Sequence, residues 1–267
     1  MATADPPPTG VPNPIHDTEG AAAAGYARAL VAGVRTYGWV AETVMQLFGL
    51  EWVRRGWADF TLRRPLHAGE EISVTVSEPG AIAAAAGGRV VLEGDVGVGD
   101  AAWLDELDPP EPAAAADPAP VRPSYVVETA PVGQVLRPLG VYVSTAAARR
   151  LVTDDLGLPS SPVVDVADPP LLHPYFLAAR MAPLTRHNFT YGPTIHVRTQ
   201  IQHLGGATAD QEITIGARLV DVFERNGHGY QVLDGVITGR GDQQLARLRH
   251  HTIFHPRGTV MPRTATR

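Results

Sequence analysis

Apolar residues recur every three or four positions through AGVRTYGWVAETVMQLFGL, where Val34, Tyr37, Val40, Ala41, Val44, Leu47 and Phe48 form one stripe. That spacing predicts a helix lying against a flat partner, and the flat partner should be a sheet. The pattern then shifts to the alternation and short apolar runs of strands in ADFTLRRPL, EISVTVSE and GRVVLEGDVGV. Turns are expected between them at His67-Ala68-Gly69 and Pro79-Gly80. The first half thus reads as a helix followed by antiparallel strands.

The plan repeats further along. GVYVS is a short strand leading into TAAARRLVTDDLG, which Ser144 or Thr145 can cap and Gly157 can close. A second helix is expected in LLHPYFLAARMAPLTRHNF, with Pro174 in its first turn and Pro183 kinking or ending it. Long strands follow in PTIHVRTQIQHL, QEITIGARLVDVFER, GYQVLDGVITG and QLARLRHHTIF, with a hairpin turn at Asn226-Gly227. In the first of these, Ile195, Val197 and Ile201 alternate with His196, Arg198, Gln200 and Gln202, so the two sets are expected on opposite faces. Between the halves, the Pro/Ala-rich stretch LDPPEPAAAADPAPVRP lacks either periodicity and reads as a linker. The expected organisation is residues 1–106, a linker at 107–123, a second unit at 124–258 and a tail at 259–267. The fold class is α+β, a pseudo-repeat of two helix-wrapped antiparallel sheets.

Composition narrows the chemistry. Of the 267 residues 44% are hydrophobic, enough for a full core, and the net charge of -6 offers no basic footprint for nucleic acid. With no cysteine there is no disulfide, thiol nucleophile or thiolate metal site. The Pro-rich start lacks a signal peptide's basic and apolar regions, and no apolar run reaches membrane-spanning length; the expected location is the cytoplasm, away from any membrane. His196, His203, His228, His250, His251 and His255 show no closely spaced ligand set, so no metal is expected. Phosphate-loop, dinucleotide-binding and nucleophile-elbow motifs are absent, and no cofactor is expected.

Asn13-Pro14-Ile15-His16 is the candidate chemical motif. It has a purely local reading, since Asn-Pro starts turns and Asp17 or Thr18 can cap the Ala-rich helix after it. Together with the Gly-containing helix opening VAGV and the turn Arg64-Pro65-Leu66-His67-Ala68-Gly69-Glu70, however, NPIH resembles the MaoC-like (R)-specific enoyl-thioester hydratase/dehydratase branch of the hotdog superfamily. IHVRTQIQHLGG, VFERNGHGYQVLDG and RLRHHTIFHPRG are similar to the partner unit of two-hotdog members.

The resemblance implies a double hotdog fold with a ligand tunnel between the units, and a lyase acting on an acyl thioester of coenzyme A or a carrier protein. The partners it implies are that small, mostly apolar substrate and a homodimer mate or second hotdog chain. Carried over by residue, His16 is the acid/base, Asn13 orients it, and the Gly33 N–H is the oxyanion donor, a role that a helix N-terminus suits physically. Tyr26, Tyr37 and Arg64 become candidate substrate contacts, joined by His196 and Arg198 on the strand face expected to line the groove. The departure is Val11, which stands where the family's catalytic aspartate belongs; Asp17 is the nearest substitute carboxylate. That departure keeps two alternatives open: a divergent hotdog chemistry such as thioester hydrolysis, elimination or cyclisation, or a non-catalytic partner subunit.

Overall fold

The computed structural model describes residues 13–166 and 168–259. A short helix α1 (Thr18–Ala23) starts where Asp17 Oδ1 accepts the Gly20 N–H at 2.7 Å, an N-cap that satisfies one orphan donor of the first turn. The long helix α2 (Gly33–Arg55) follows, with a break at Gly49, whose φ of 66° belongs to the left-handed region that glycine tolerates. Tyr37, Val40, Val44, Met45 and Trp52 are buried along it. Each is worth roughly 1.5–3 kcal/mol relative to exposure, so packing on the sheet rather than intrinsic propensity holds the helix.

Four strands wrap this helix: β1 (Gly56–Leu62), β2 (Ile72–Ser77), β3 (Ala81–Ala86) and β4 (Arg89–Val98). The second half contributes β5 (Leu139–Val143), then short helices α3 (Thr145–Arg150), α4 (Pro162–Asp165), α5 (Pro174–Ala178) and α6 (Met181–Asn188). The strands β6 (Ile195–His203), β7 (Gln211–Arg225), β8 (His228–Thr238) and β9 (Gln244–His255) complete it. All nine form one sheet in the order β2-β3-β4-β1-β6-β9-β8-β7-β5. The halves join where β1 runs antiparallel to β6, with Trp57 opposite Gln202 and Phe60 opposite Thr199.

The structure adds one strand to the expected set and corrects the phase of another. AIAAAA is a strand, β3, hidden from pattern reading because alanine has little strand propensity; hydrogen bonding to β2 and β4 on either side imposes it. The helical segment breaks at Ala179–Arg180, as the expected kink requires: Pro183 lacks the N–H that would bond the Ala179 carbonyl and its ring crowds that carbonyl, so Pro183 instead sits in the first turn of α6. The strand β6 does not alternate throughout. His196 pairs with Thr252 and Arg198 with His251, which leaves Val197 as a bulge and turns His196 to the face opposite its expected neighbours.

Residues 107–123 form no helix or strand, but they are held against the sheet. Asp108 N–H donates to Asp234 Oδ2 at 2.7 Å on β8, Arg218 of β7 donates to Asp108 O at 3.2 Å, and Ala116 N–H donates to Pro138 O at 3.0 Å just before β5. Ser144 caps α3 through the Ala147 N–H, and Asn226 and Gly227 both take positive φ in the β7–β8 turn. Among the described residues no helix is long and apolar enough to cross a membrane.

Candidate active site

Asn13 precedes a single 3-10 turn, Pro14–His16, with proline at its first position. Ile15, almost wholly buried, anchors the turn, and its carbonyl accepts the Leu30 N–H at 3.1 Å. A side chain at Gly20 would overlap the Pro14 carbonyl, so glycine is what lets α1 lie on the turn. The His16 ring lies with Nδ1 at 2.7 Å from Leu30 O. A carbonyl only accepts, so neutral His16 carries its proton on Nδ1 and presents Nε2 as a lone pair.

Asn13 bridges the halves. Its Nδ2 donates to Thr194 O at 2.8 Å and to the His16 Nε2 lone pair at 3.3 Å, while its Oδ1 accepts the Thr194 N–H at 3.2 Å. The turn carrying His16 is thereby fixed to the segment that enters β6. Gly33 opens α2, where helix geometry leaves the first N–H groups without intrahelical partners and pointing outward. A Cβ at Gly33 would overlap Leu62 Cδ1 of β1 and stand 3.3 Å from His196 Nδ1 of β6.

Two adjacent cavities lie on either side of these residues. One, of about 170 Å³, has Tyr26, Leu62, Arg63 and Arg64 in its wall; the other, of about 230 Å³, reaches Ala178, Ala182, Arg186, His250 and Thr252. They share His16, Gly33, Thr194 and His196. Among the described residues, neither is lined by an aspartate or glutamate. Burial drives the His196 pKa down to about 3, with the nearby His251 lowering it further against a backbone bond that raises it. Burial, with His196 and His251 beside it, holds His250 well below the ordinary histidine range. Both rings are therefore neutral near pH 7.

Asn13, His16, Gly33, Tyr26, Arg64 and His196 are thus brought together. Three other candidates are not. Asp17 spends its carboxylate on capping α1 at an exposed position, so it supplies no substitute for the missing partner. Tyr37 is fully buried and stacks on Phe60 at 4.2 Å between ring centroids; it belongs to the core stripe rather than the cavity wall. Arg198 is turned outward by the bulge and grips Asp59 through two hydrogen bonds of 2.8 and 2.6 Å on the sheet's other face. Val11 lies outside the described residues. No group of three or more histidine, aspartate or glutamate side chains among the described residues is placed to hold a metal.

This nine-stranded sheet, with its halves joined through β1 and β6, resembles solved structures described as MaoC-like or as a double hotdog. A MaoC domain protein from Chloroflexus aurantiacus is 14% identical, with a TM-score of 0.62 over 92% of this chain and 87% of that one. The chain has a double hotdog fold. A MaoC-like dehydratase gives a TM-score of 0.54 at 14% identity, over 91% and 90% of the two chains. A Mycobacterium tuberculosis protein described as a double hotdog gives 0.53 at 14% identity, over 87% and 84%. No family model matches the sequence, and no curated protein does.

In this double hotdog the second unit supplies site residues that pattern reading passed over. Thr194 precedes its strand, and nothing local marks it. His250 carried a legible signal: with Ala246, Leu248, Thr252 and Phe254 it occupies the buried phase of β9, and an imidazole on that phase is out of place in a plain core.

Proposed function

We propose that the cleft is the active site of an acyl-thioester enzyme of the hydratase/dehydratase kind. The observation that carries the proposal is that His16 and Gly33 line both cavities. The likeness to MaoC-type double hotdogs supports the reading without deciding the reaction.

The chemistry follows from that geometry. The thioester carbonyl oxygen takes the hydrogen bond of the Gly33 N–H at the positive end of α2. His16 Nε2, a lone pair in the neutral ring, removes the α-proton of a 3-hydroxyacyl thioester, and the electron pair of that bond moves toward the carbonyl to give an enolate. The imidazolium then returns the same proton to the departing β-hydroxyl as the Cβ–O bond breaks, which releases water and the enoyl thioester. One group handles the proton throughout, on one face of the substrate, so this route needs no aspartate at position 11. Substrate must displace the Asn13 amide from Nε2 before the proton moves, and Asn13 then holds the His16 turn through Thr194. Arg64 at the first cavity's wall suits a phosphate of coenzyme A, whereas Arg63 is paired with Glu93.

The same constellation would serve thioester hydrolysis if a water stood at Nε2 in place of the α-carbon. Incubating the protein with crotonyl-coenzyme A and with 3-hydroxybutyryl-coenzyme A separates the two. Interconversion of these thioesters without release of free thiol supports the lyase reading. Thiol release without interconversion replaces it by a hydrolase, and neither reaction with these or longer acyl chains rejects catalysis on thioesters.

A further inference from the structure

His196, His250 and the hydroxyl between them are left over by the mechanism above. His196 Nε2 lies 2.7 Å from Thr199 Oγ1, which lies 2.7 Å from His250 Nδ1, and the two rings sit 4.4 Å apart. Thr199 is wholly buried. Each ring is neutral and holds one proton, and the Thr199 hydroxyl can accept from both rings or accept from one while donating to the other, so the tautomers set the direction of the row. When His250 Nδ1–H donates to Thr199 and the Thr199 hydroxyl donates to His196 Nε2, the His196 proton must reside on Nδ1.

That Nδ1 is buried without any hydrogen-bond partner in a side chain that lines both cavities. It also adjoins Gly33, as the 3.3 Å separation from a Cβ there shows. An orphaned buried imidazole nitrogen is costly unless a ligand completes it. Because the ring resists protonation, it suits hydrogen-bond donation from a neutral imidazole better than proton transfer.

We infer that His196 is a second oxyanion donor: its Nδ1–H, together with the Gly33 N–H, binds the thioester carbonyl oxygen, and Thr199 with His250 holds it in the donor tautomer. The inference rests on the proposed thioester site. His196 touches substrate as a catalytic residue; Thr199 and His250 are positioning residues. No covalent step is added, and the bulge at Val197 gains a purpose, because a regular β6 would turn His196 away from the cleft.

The test reads the carbonyl directly. Butyryl-coenzyme A labelled with carbon-13 at the thioester carbon is saturated and cannot be hydrated, and its carbonyl stretch falls as hydrogen bonds to the oxygen strengthen. Bound to the native protein it should fall well below its value in water. In His196→Phe it should return most of the way, and in His196→Asn, whose amide N–H substitutes for Nδ1–H, it should fall again. Thr199→Val should raise it partway, and serves as the decisive variant if His196→Phe does not fold. On a turned-over thioester, His196→Phe should lose about 100-fold in kcat with KM changed only a few-fold, and His196→Asn should recover most of that loss. Equal carbonyl frequencies in bound native protein and in His196→Phe or Thr199→Val overturn the donor role while leaving the thioester site intact. Failure of the native protein to bind butyryl-coenzyme A overturns the thioester site, and this inference with it.

Discussion

His203 offers a test of how the interior treats a buried imidazole. It is 1% exposed, both ring nitrogens lack hydrogen-bond partners, and the ring stands edge-on to Trp52 at 5.5 Å. Burial, with His173 nearby, pushes its pKa down to about 4. In the unfolded chain the ordinary value of about 6.5 applies. Above pH 6.5 neither state binds a proton there and His203 adds no pH dependence. As the pH falls from 6.5 toward 4 the unfolded chain gains a proton that the folded chain refuses, so stability drops with falling pH. Over that range the loss from this one group reaches about 3 kcal/mol. His203→Phe keeps a flat ring beside Trp52 and removes the titration. Urea unfolding of both proteins at pH 7.5, 5.5 and 4.5 should show the native protein losing more stability than the variant, with the gap widening as the pH falls. His196 and His251 titrate in both proteins and cancel in that difference. Parallel loss in the two would refute the premise that His203 stays neutral in the fold.

Further outcomes follow from the same structure. Gly33→Ala would place a Cβ against Leu62 and His196; overpacking should cost about 1–3 kcal/mol in urea unfolding, and turnover should fall by about 100-fold or more as the oxyanion corner fills. Tyr37→Phe removes a buried hydroxyl with no partner, so its unfolding midpoint should stay the same or rise and its kcat/KM should not change. Arg198→Ala loses a partly exposed pair with Asp59, should destabilise by about 1 kcal/mol or less in the same assay, and should leave KM for the thioester unaltered.

Much of the architecture was written in periodicity. Most of the α2 stripe and the Asn226-Gly227 turn follow from local spacing, although Leu47 at the end of the stripe is exposed and β8 is buried on both faces rather than alternating. The alanine strand β3 was illegible because its identity comes from its neighbours. The site was half legible. NPIH and Gly33 stand out as short-range motifs, but the bulge at Val197 that sends His196 inward and Arg198 outward depends on pairing with β9, 51 to 56 positions away in sequence on the register from His196 to Thr252 and Thr199 to His250. Tyr37 was ambiguous for the opposite reason: an aromatic on an apolar stripe near a motif has the same spacing whether it fills the core or a pocket. Asp17, adjacent to His16 in sequence, is drawn off by the nearer demand of an uncapped helix.

As the proton-transferring group of a thioester lyase, His16 Nε2 should carry a solvent proton to the α-carbon. Crotonyl-coenzyme A incubated with the protein in deuterium oxide should yield 3-hydroxybutyryl-coenzyme A with one deuterium at the α-carbon. His16→Gln should keep the native urea midpoint and reduce that incorporation by at least 100-fold. Native-like incorporation in the folded His16→Gln protein would contradict the account.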